Sequence, residues 1–128
     1  MSGPFIFAGT YTIKSGKLEQ ARQHLQDIAD LVETNEPRLI AFNFYLDEQE
    51  RRVTCIQVHP DATSMEFHMN VISEHLSSAF EWIDRVESEQ VYGKPTEALE
   101  AGLRKYAGPN GLTLMPVHEV GFTRTTAR

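Results

Sequence analysis

The spacing of apolar residues changes several times along this chain, and the order of those changes restricts the fold more than any other sequence feature. Residues 5–13, FIFAGTYTI, alternate between two faces as a β-strand does. The following apolar residues recur every three or four positions, which predicts an amphipathic helix that stops before Pro37. They are Leu18, Ala21, Leu25, Ile28 and Val32. The chain is therefore expected to begin with a strand and a helix.

A hairpin and a second helical stretch are predicted next. Residues 39–46 and 53–59 have strand composition, and the charged and polar turn between them favours a hairpin. Residues 61–83 return to helical spacing, with Asp61 as the expected N-cap. Their apolar stripe consists of Met65, Ile72, Leu76, Ala79 and Ile83. Serine is a middling helix former, so one helix and two helices divided near Ser73-Glu74 both remain open.

The last third of the chain predicts a strand over residues 85–92, a short helix over 97–106 and a fifth strand over 112–123, interrupted at Pro116. The first six elements follow the order β-α-β-β-α-β. That order is typical of the ferredoxin-like fold, an α+β architecture with both long helices on one face of a four-stranded antiparallel sheet. The additional helix and strand would follow this unit.

The size and charge of the chain restrict its class. Its 128 residues suggest a single domain over residues 1–128, with a core at 5–92 and a helix–strand extension at 93–128. Eighteen acidic and twelve basic residues leave a net charge of −6, which argues against nucleic-acid binding. The chain has no apolar run near the ~18 residues of a membrane span. A single cysteine, Cys55, excludes an intrachain disulfide and favours the cytoplasm.

The second predicted strand is apolar on both faces, and a sheet of this kind needs a cover on both sides. Ile40, Phe42, Phe44 and Leu46 fill one face, and Leu39, Ala41 and Tyr45 share the other with Asn43. A homodimer that packs sheet on sheet would supply the second cover. The alternative is that the last helix and strand fold back over the same face.

The chain has no strong catalytic motif, and its histidines carry most of the functional signal. It lacks a glycine-rich phosphate loop, and no two of its five histidines are three or four residues apart, so no dedicated metal site is expected. His24 lies among polar helix residues and is expected to be exposed. His68, His75 and Trp82 follow one edge of the apolar stripe at heptad spacing. They form either a pocket wall or ordinary packing at the edge of the core.

Three segments together resemble the antibiotic biosynthesis monooxygenase superfamily: FIFAGTYTIKSGKLEQA, FNFYLDEQERRVTCIQVHPD, and SMEFHM with the helix after it. The similarity covers residues 5–92, and residues 92–106 with the later strand ending GFTR resemble an extension of some members. The resemblance implies dimeric α/β barrels with pockets between helices and sheet. Members include cofactor-independent oxygenases, haem-degrading enzymes and isomerases. The first strand has Thr10 and Tyr11 where the haem-degrading branch carries Asn, and Trp82 follows both candidate histidines, so the haem pattern is not met.

The resulting functional prediction is a cofactor-independent monooxygenase of an aromatic or quinol-type small molecule, with His68 or His75 as the catalytic base. An imidazole, whose ordinary pKa is about 6.5, can accept a phenolic proton near neutral pH. The expected substrate-binding residues are Tyr11, Asn43, Tyr45, Phe67, Ile72, Phe80 and Trp82. No cofactor is expected. The alternatives are a non-catalytic dimeric binding protein for an apolar metabolite and a haem-binding or haem-degrading relative.

Overall fold

The computed structural model describes residues 3–108 and 111–124. Residues 1–2, 109–110 and 125–128, which the predicted domain includes, lie outside the described residues. The elements in chain order are β1 (Phe5–Ile13), α1 (Leu18–Asn35), β2 (Ala41–Asp47), β3 (Arg52–His59), α2 (Ala62–Val71), α3 (Ser73–Ala79), β4 (Ile83–Tyr92), α4 (Glu97–Tyr106) and β5 (Leu112–Met115).

The strands form one sheet in the order β2-β3-β1-β4-β5. The first four strands pair antiparallel, and β5 adds to β4 in parallel. This arrangement confirms the predicted α+β, ferredoxin-like class with an added helix and strand. β1 lies at the centre of the sheet because it pairs with β3 on one side and β4 on the other.

One face of the sheet packs against the helices and holds the core. Phe5 and Phe7 of β1 form a cluster with Met65 of α2 and Leu103 of α4. A second cluster joins α1 and α3 to β1, β3 and the start of β4, and a third lies between α1 and the α2–α3 junction. The alternation of β1 follows from this packing, since Phe5, Phe7, Gly9 and Ile13 are buried while the residues between them are half-buried.

The opposite face of the sheet is not covered by the C-terminal extension. The apolar side of α4 packs on the helix side through Leu99 and Leu103, and β5 extends the sheet edge. The alternative in which the last helix and strand fold back over the second face is therefore wrong for the described residues. Tyr45 on this face is 61% exposed, and Ile56 is also exposed.

The predicted helical stretch 61–83 is divided in two at Ile72, next to the position considered from the sequence. Its second helix ends at Ala79, and the prediction of helix as far as Ile83 is wrong, because Ile83 begins β4. Asp61 caps α2 by accepting a hydrogen bond from the Ser64 N–H at 3.0 Å. At the end of α2 the Ser73 hydroxyl donates to the Asn70 carbonyl at 3.1 Å, and Ile72 leaves helical geometry. A serine that binds a nearby backbone carbonyl competes with the helical hydrogen-bond pattern, which accounts for a break at this point.

The fifth strand is shorter than predicted. β5 ends at Met115, because Pro116 has no N–H to donate to a neighbouring strand. The prediction of a strand as far as residue 123 is therefore wrong for residues 116–123. This segment leaves Val117, Val120 and Phe122 exposed.

Among the described residues, the structure contains no helix that is long and apolar enough to cross a membrane.

Candidate functional site

A cavity of about 110 Å³ lies between the helices and the helix side of the sheet. Its walls are mostly apolar side chains from α1, α2, α3, α4 and the strands. A few side chains with polar atoms interrupt this lining: Tyr11, Cys55, Gln57, His68, Trp82, Glu89 and Tyr106. An apolar cavity with a small number of polar groups is the usual form of a small-molecule site.

His68 is the polar residue that α2 contributes to the cavity. Its ring is fully buried, and its Nδ1 lies 2.8 Å from Oε2 of Glu36, which is also buried. Because a carboxylate only accepts hydrogen bonds, Nδ1 carries the proton and donates it to Glu36. Nε2 of His68 and Oε1 of Glu36 have no hydrogen-bond partner among the described residues. In the tautomer with its proton on Nδ1, the lone pair on Nε2 is available to a ligand.

The local fold accounts for the position of Glu36. This residue is the C-cap of α1, and its backbone N–H donates to the Val32 carbonyl at 2.9 Å. Pro37 follows and prevents the helix from continuing. The chain turns at this point, and the carboxylate is buried against α2 instead of reaching solvent.

Glu89 is the second buried acid of the cavity. The Tyr11 hydroxyl donates to its Oε2 at 2.8 Å, while Oε1 has no partner in the described part of the chain. Burial raises the pKa of the Glu89 carboxyl to about 7, although the hydrogen bond from Tyr11 opposes the rise. The pKa of Tyr11 is raised well above its ordinary value, first by burial and then by the negative charge of Glu89. Glu89 can therefore carry a proton near neutral pH, and Tyr11 stays protonated.

Gly9 makes the contact between Tyr11 and Glu89 possible. Gly9 is opposite Glu89 in the pairing of β1 with β4. The Tyr11 ring lies over Gly9, so a methyl group added there would collide with the Tyr11 hydroxyl. A register shift between Thr10 and Tyr11 then brings Val86 to the helix side of β4, where Glu89 and Val91 also lie.

A chain of buried hydrogen bonds connects Cys55 and Gln57 of the cavity lining to His59 and Ser64, which lie outside the lining. His59 Nε2 lies 2.9 Å from Oε1 of Gln57, and His59 Nδ1 lies 2.8 Å from the Ser64 hydroxyl. Burial, together with neighbouring His68, lowers the pKa of His59 to about 3, so the ring is neutral. The Gln57 amide donates to Cys55 Sγ at 3.5 Å. Burial raises the pKa of the Cys55 thiol to about 12, which argues against a thiolate nucleophile.

Trp82 joins the cavity to a pair of surface histidines. Its indole lines the cavity and its Nε1 donates to His24 Nδ1 at 2.7 Å. His24 Nε2 lies 3.3 Å from Nδ1 of His75, and the two rings stack. Burial and the adjacent His75 lower the pKa of His24. The expectation that His24 is a free surface residue is therefore wrong, because it satisfies the buried indole.

The structure brings together some of the residues predicted from the sequence and separates others. The cavity lining contains His68, Tyr11, Ile72, Phe80 and Trp82. His75 lies outside this lining beside His24, since the break at Ile72 ends its alignment with His68. Asn43 and Tyr45 are exposed on the opposite face of the sheet, and Phe67 is 52% exposed. A ligand in the cavity would not contact these last three residues.

Sequence reasoning did not find Glu36 or Glu89. Glu36 looks like a solvated residue at a helix end, and Glu89 lies in the polar run ESEQ. One signal was available, because Glu89 is two residues before the apolar Val91 and alternation places both on one face. No comparable signal marks Glu36, whose burial depends on the packing of α1 against α2. Among the described residues, no group of three potential metal ligands occurs.

Solved structures show where this fold has been seen before, although no family model and no curated protein matches the chain. MupZ from Pseudomonas fluorescens is 18% identical, with a TM-score of 0.77 over 96% of both chains. A candidate antibiotic biosynthesis monooxygenase from Nitrosomonas europaea is 11% identical, with a TM-score of 0.60 over 71% of this chain and 88% of the other. A second one, from Chloroflexus aurantiacus, is 10% identical, with a TM-score of 0.59 over 70% and 90%.

The fold is the one seen in these solved structures, two of which are named as candidate antibiotic biosynthesis monooxygenases. The resemblance predicted from the sequence is thereby confirmed at the level of architecture. The two structures named as candidate monooxygenases cover about 70% of this chain, whereas MupZ covers 96% and so includes most of the C-terminal extension. At these identities the likeness concerns the backbone, and the chemistry of the cavity has to be argued from this chain's own residues.

Proposed function

We propose that the protein is a cofactor-independent monooxygenase of a phenolic or quinol-type small molecule, with His68 as the general base. One observation carries this proposal. His68 lines an apolar cavity with a buried Nε2 that has no partner in the described residues, while Glu36 holds its Nδ1 at 2.8 Å. A carboxylate that holds the far nitrogen of an imidazole sets the tautomer and the orientation needed for proton abstraction.

The proposed reaction begins when His68 Nε2 removes the phenolic proton and leaves an electron-rich phenolate. Molecular oxygen then forms a C–O bond at the unsubstituted carbon para to the phenolate, and the peroxide oxygen takes up a proton. Loss of the C–H proton with cleavage of the O–O bond gives a quinone carbonyl and water. The phenol supplies all four electrons that oxygen accepts, so the balance closes without a reductant. The protein contributes a base, a dry cavity and orientation.

The dimensions of the cavity favour a reaction without a large cofactor. A cavity of about 150 Å³ binds benzene, and this one is about 110 Å³, so it can enclose no more than one aromatic ring. A haem macrocycle is several times larger than benzene. We therefore propose a ligand with one phenolic ring, whose substituents extend past the exposed edge of Phe80 toward solvent. The single buried cysteine supports a cytoplasmic location in this proposal.

The uncovered sheet face supports the proposal of a two-fold homodimer that packs sheet on sheet. Ile6, Ala8 and Val58 are only partly buried in the protomer, and Ile56 and Tyr45 are exposed beside them. A parallel or antiparallel sheet with apolar residues on both faces is stable when both faces are covered. The exposed apolar residues of segment 116–124 add to the surface that a second copy would bury.

Oxygen consumption with a panel of phenols and quinols tests the function. We expect His68→Gln to lower kcat/KM by about 10²- to 10⁴-fold, the usual contribution of a general base. His75→Gln is the matched control, because His75 lies outside the cavity lining, and it should remain within about twofold. Undiminished oxygen uptake in His68→Gln would rule out this base. Binding of the phenols with no oxygen uptake by the unaltered protein would favour the non-catalytic alternative.

A further inference from the structure

The Tyr11–Glu89 pair is not used by the proposed base, yet it lines the same cavity. Both side chains come from the sheet, and the Glu89 carboxyl is buried with one oxygen bound to Tyr11 and the other without a partner in the described residues. A buried carboxyl oxygen without a hydrogen bond destabilises the folded protein. Such an atom in a cavity is available to a ligand.

Glu89 and His68 lie on opposite sides of the central strand. The His68 ring contacts Phe42 of β2 and His59 of β3, with ring centroids 5.3 and 5.8 Å apart respectively. Glu89 is on β4, and β1 runs between β3 and β4. Neighbouring strands are about 5 Å apart, so β3 and β4 lie two spacings, about 10 Å, apart across β1. An aromatic ring with an oxygen at each end spans a comparable distance once a hydrogen bond of about 2.8 Å is added at each oxygen.

We propose that Tyr11 and Glu89 form a second polar site, which binds an oxygen at the far end of the ligand and gives it a proton. The ligand class is an uncharged aromatic molecule with an ionisable hydroxyl at one end and a carbonyl or developing peroxide oxygen at the other. An aromatic carboxylate is disfavoured, because the ionised Glu89 would repel it. The part that concerns peroxide rests on the proposed function.

In the oxygenation reaction, the second site acts when the O–O bond breaks. The Oε1–H of Glu89 donates its proton to the departing peroxide oxygen, which leaves as water. The para C–H proton is lost as the carbonyl forms, and it restores the proton of the carboxyl. His68 thus acts on the phenol and Glu89 on the peroxide, and no proton is gained or lost overall. Tyr11 and Gly9 are positioning residues, because they act through Glu89.

A binding experiment tests the second site without oxygen chemistry. The probes are acetophenone and ethylbenzene, which have similar shapes and do not titrate, so their affinity ratio isolates one carbonyl. At pH 5.5 we expect acetophenone to be preferred about tenfold, the effect of one hydrogen bond of about 1.4 kcal/mol. The preference should fall to about twofold or less at pH 9, when Glu89 has lost its proton.

Three variants show whether Glu89 or His68 causes the pH dependence of the binding preference. In Glu89→Gln the preference should no longer change with pH, since an amide does not titrate. In Tyr11→Phe the loss of preference should move to higher pH, because the Tyr11 hydrogen bond holds the pKa of Glu89 down. In His68→Gln the pH dependence should persist. A pH dependence that survives in Glu89→Gln, or a wild-type ratio near one at both pH values, would overturn the second site.

The proton-donor role has its own test with an oxygenated phenol. We expect Glu89→Gln to consume oxygen within about threefold of wild type but to lose quinone formation by about 10²-fold or more, with peroxide detected instead. Equal loss of oxygen uptake and quinone would remove the donor role. If the unaltered protein consumes no oxygen with any phenol, the proposed function and the donor role fail together, while the acetophenone result still decides the binding site.

Discussion

His68 donates from Nδ1 to Glu36 Oε2 at 2.8 Å, and neither side chain is accessible to solvent. The two residues are 32 positions apart, one at the end of α1 and the other in the last turn of α2. Their hydrogen bond therefore ties the two helices together at the cavity wall. The ring has one edge occupied by a protein carboxylate and the other edge free of any partner in the described residues.

We predict that Glu36→Gln reduces turnover without removing the base. A glutamine amide can donate to Nδ1 and so favour the wrong tautomer, in which Nε2 carries the proton. We expect kcat/KM for oxygen uptake to fall about 10- to 10²-fold, less than in His68→Gln. Glu33→Gln is the control, because Glu33 is an exposed carboxylate on the same helix. Turnover equal to wild type in Glu36→Gln would show that the hydrogen bond is only structural.

We predict that Glu89 makes the folded protein less stable as the pH rises. Its carboxyl has a pKa of about 7 in the folded protein against an ordinary value of 4.5. The unfolded chain therefore releases the proton first, and stability is lost between about pH 4.5 and 7. The loss is at most roughly 3 kcal/mol.

Urea denaturation at several pH values measures this effect. Glu89→Gln should not lose stability in this way, because its amide does not titrate. The unfolding free energy of the variant should therefore rise relative to that of wild type from pH 5 to pH 8. Glu87→Gln, a substitution on the same strand, is the control variant. A wild type and a Glu89→Gln variant with parallel pH profiles would contradict the raised pKa.

We predict that His24 stabilises the protein through Trp82. The Trp82 indole is buried, and its Nε1 donates to His24 at 2.7 Å. His24→Ala should cost about 1–3 kcal/mol of unfolding free energy, because the indole N–H is left without this acceptor. Gln26→Ala on the exposed side of α1 should cost less than about 0.5 kcal/mol. Equal losses in the two variants would mean that the indole finds another acceptor.

The same contact predicts a loss of stability in acid. The pKa of His24 is lowered in the folded protein, mainly by burial, so folding favours the neutral ring. The stabilisation by the neutral His24 ring is fully present above the ordinary histidine pKa of about 6.5. It is lost as the pH falls through the lower pKa that His24 has in the folded protein. Thermal unfolding from pH 7.5 downward, compared between wild type and His24→Ala, measures this effect. The gap between their Tm values should narrow as His24 becomes charged.

We predict that a charge on the uncovered sheet face prevents dimer formation. Ile56 lies on β3 opposite Ala8 of β1 and Asn43 of β2, at the middle of that face. Ile56→Asp should convert a dimer of about twice the chain mass into monomer, because an unpaired carboxylate would be buried between the sheets. Light scattering after size-exclusion chromatography measures the mass, with Gln26→Asp as control. A monomeric wild type would remove the sheet-on-sheet proposal.

The strands and helices were predictable where one periodicity extended over a whole element. β1 and α4 have the bounds that alternation and helical spacing indicate. The stretch 61–83 was less certain because its helical stripe continues through Ile72, where a local hydrogen bond from Ser73 ends α2. The last strand was predicted to be longer than it is, because the composition continues to favour a strand after Pro116. Proline has no backbone N–H to donate to a neighbouring strand, so β5 ends before it.

The site was only partly predictable, because its polar groups are brought together by packing between elements. His68 and Trp82 could be identified from their places beside an apolar stripe. Glu36 and Glu89 could not, since a single charged residue in a polar run is usually solvated. His75 was expected beside His68 from heptad spacing, which is valid only for a continuous helix. Tyr11 was found as an aromatic residue on a core strand. Its partner Glu89 lies on β4, and the placement of β4 beside β1 depends on the strand order of the sheet.

The break at Ile72 has a consequence for how relatives of this protein can diverge. α2 is anchored by its Asp61 cap and carries His68, whereas α3 and the residue after it supply Leu76, Ala79 and Phe80 to the cavity wall. An irregular residue, instead of a continuous ladder of helical hydrogen bonds, joins the two helices. Mutation in α3 can therefore reshape the cavity while His68 keeps its position, so that the proposed ligand choice and the proposed acid–base chemistry could evolve separately.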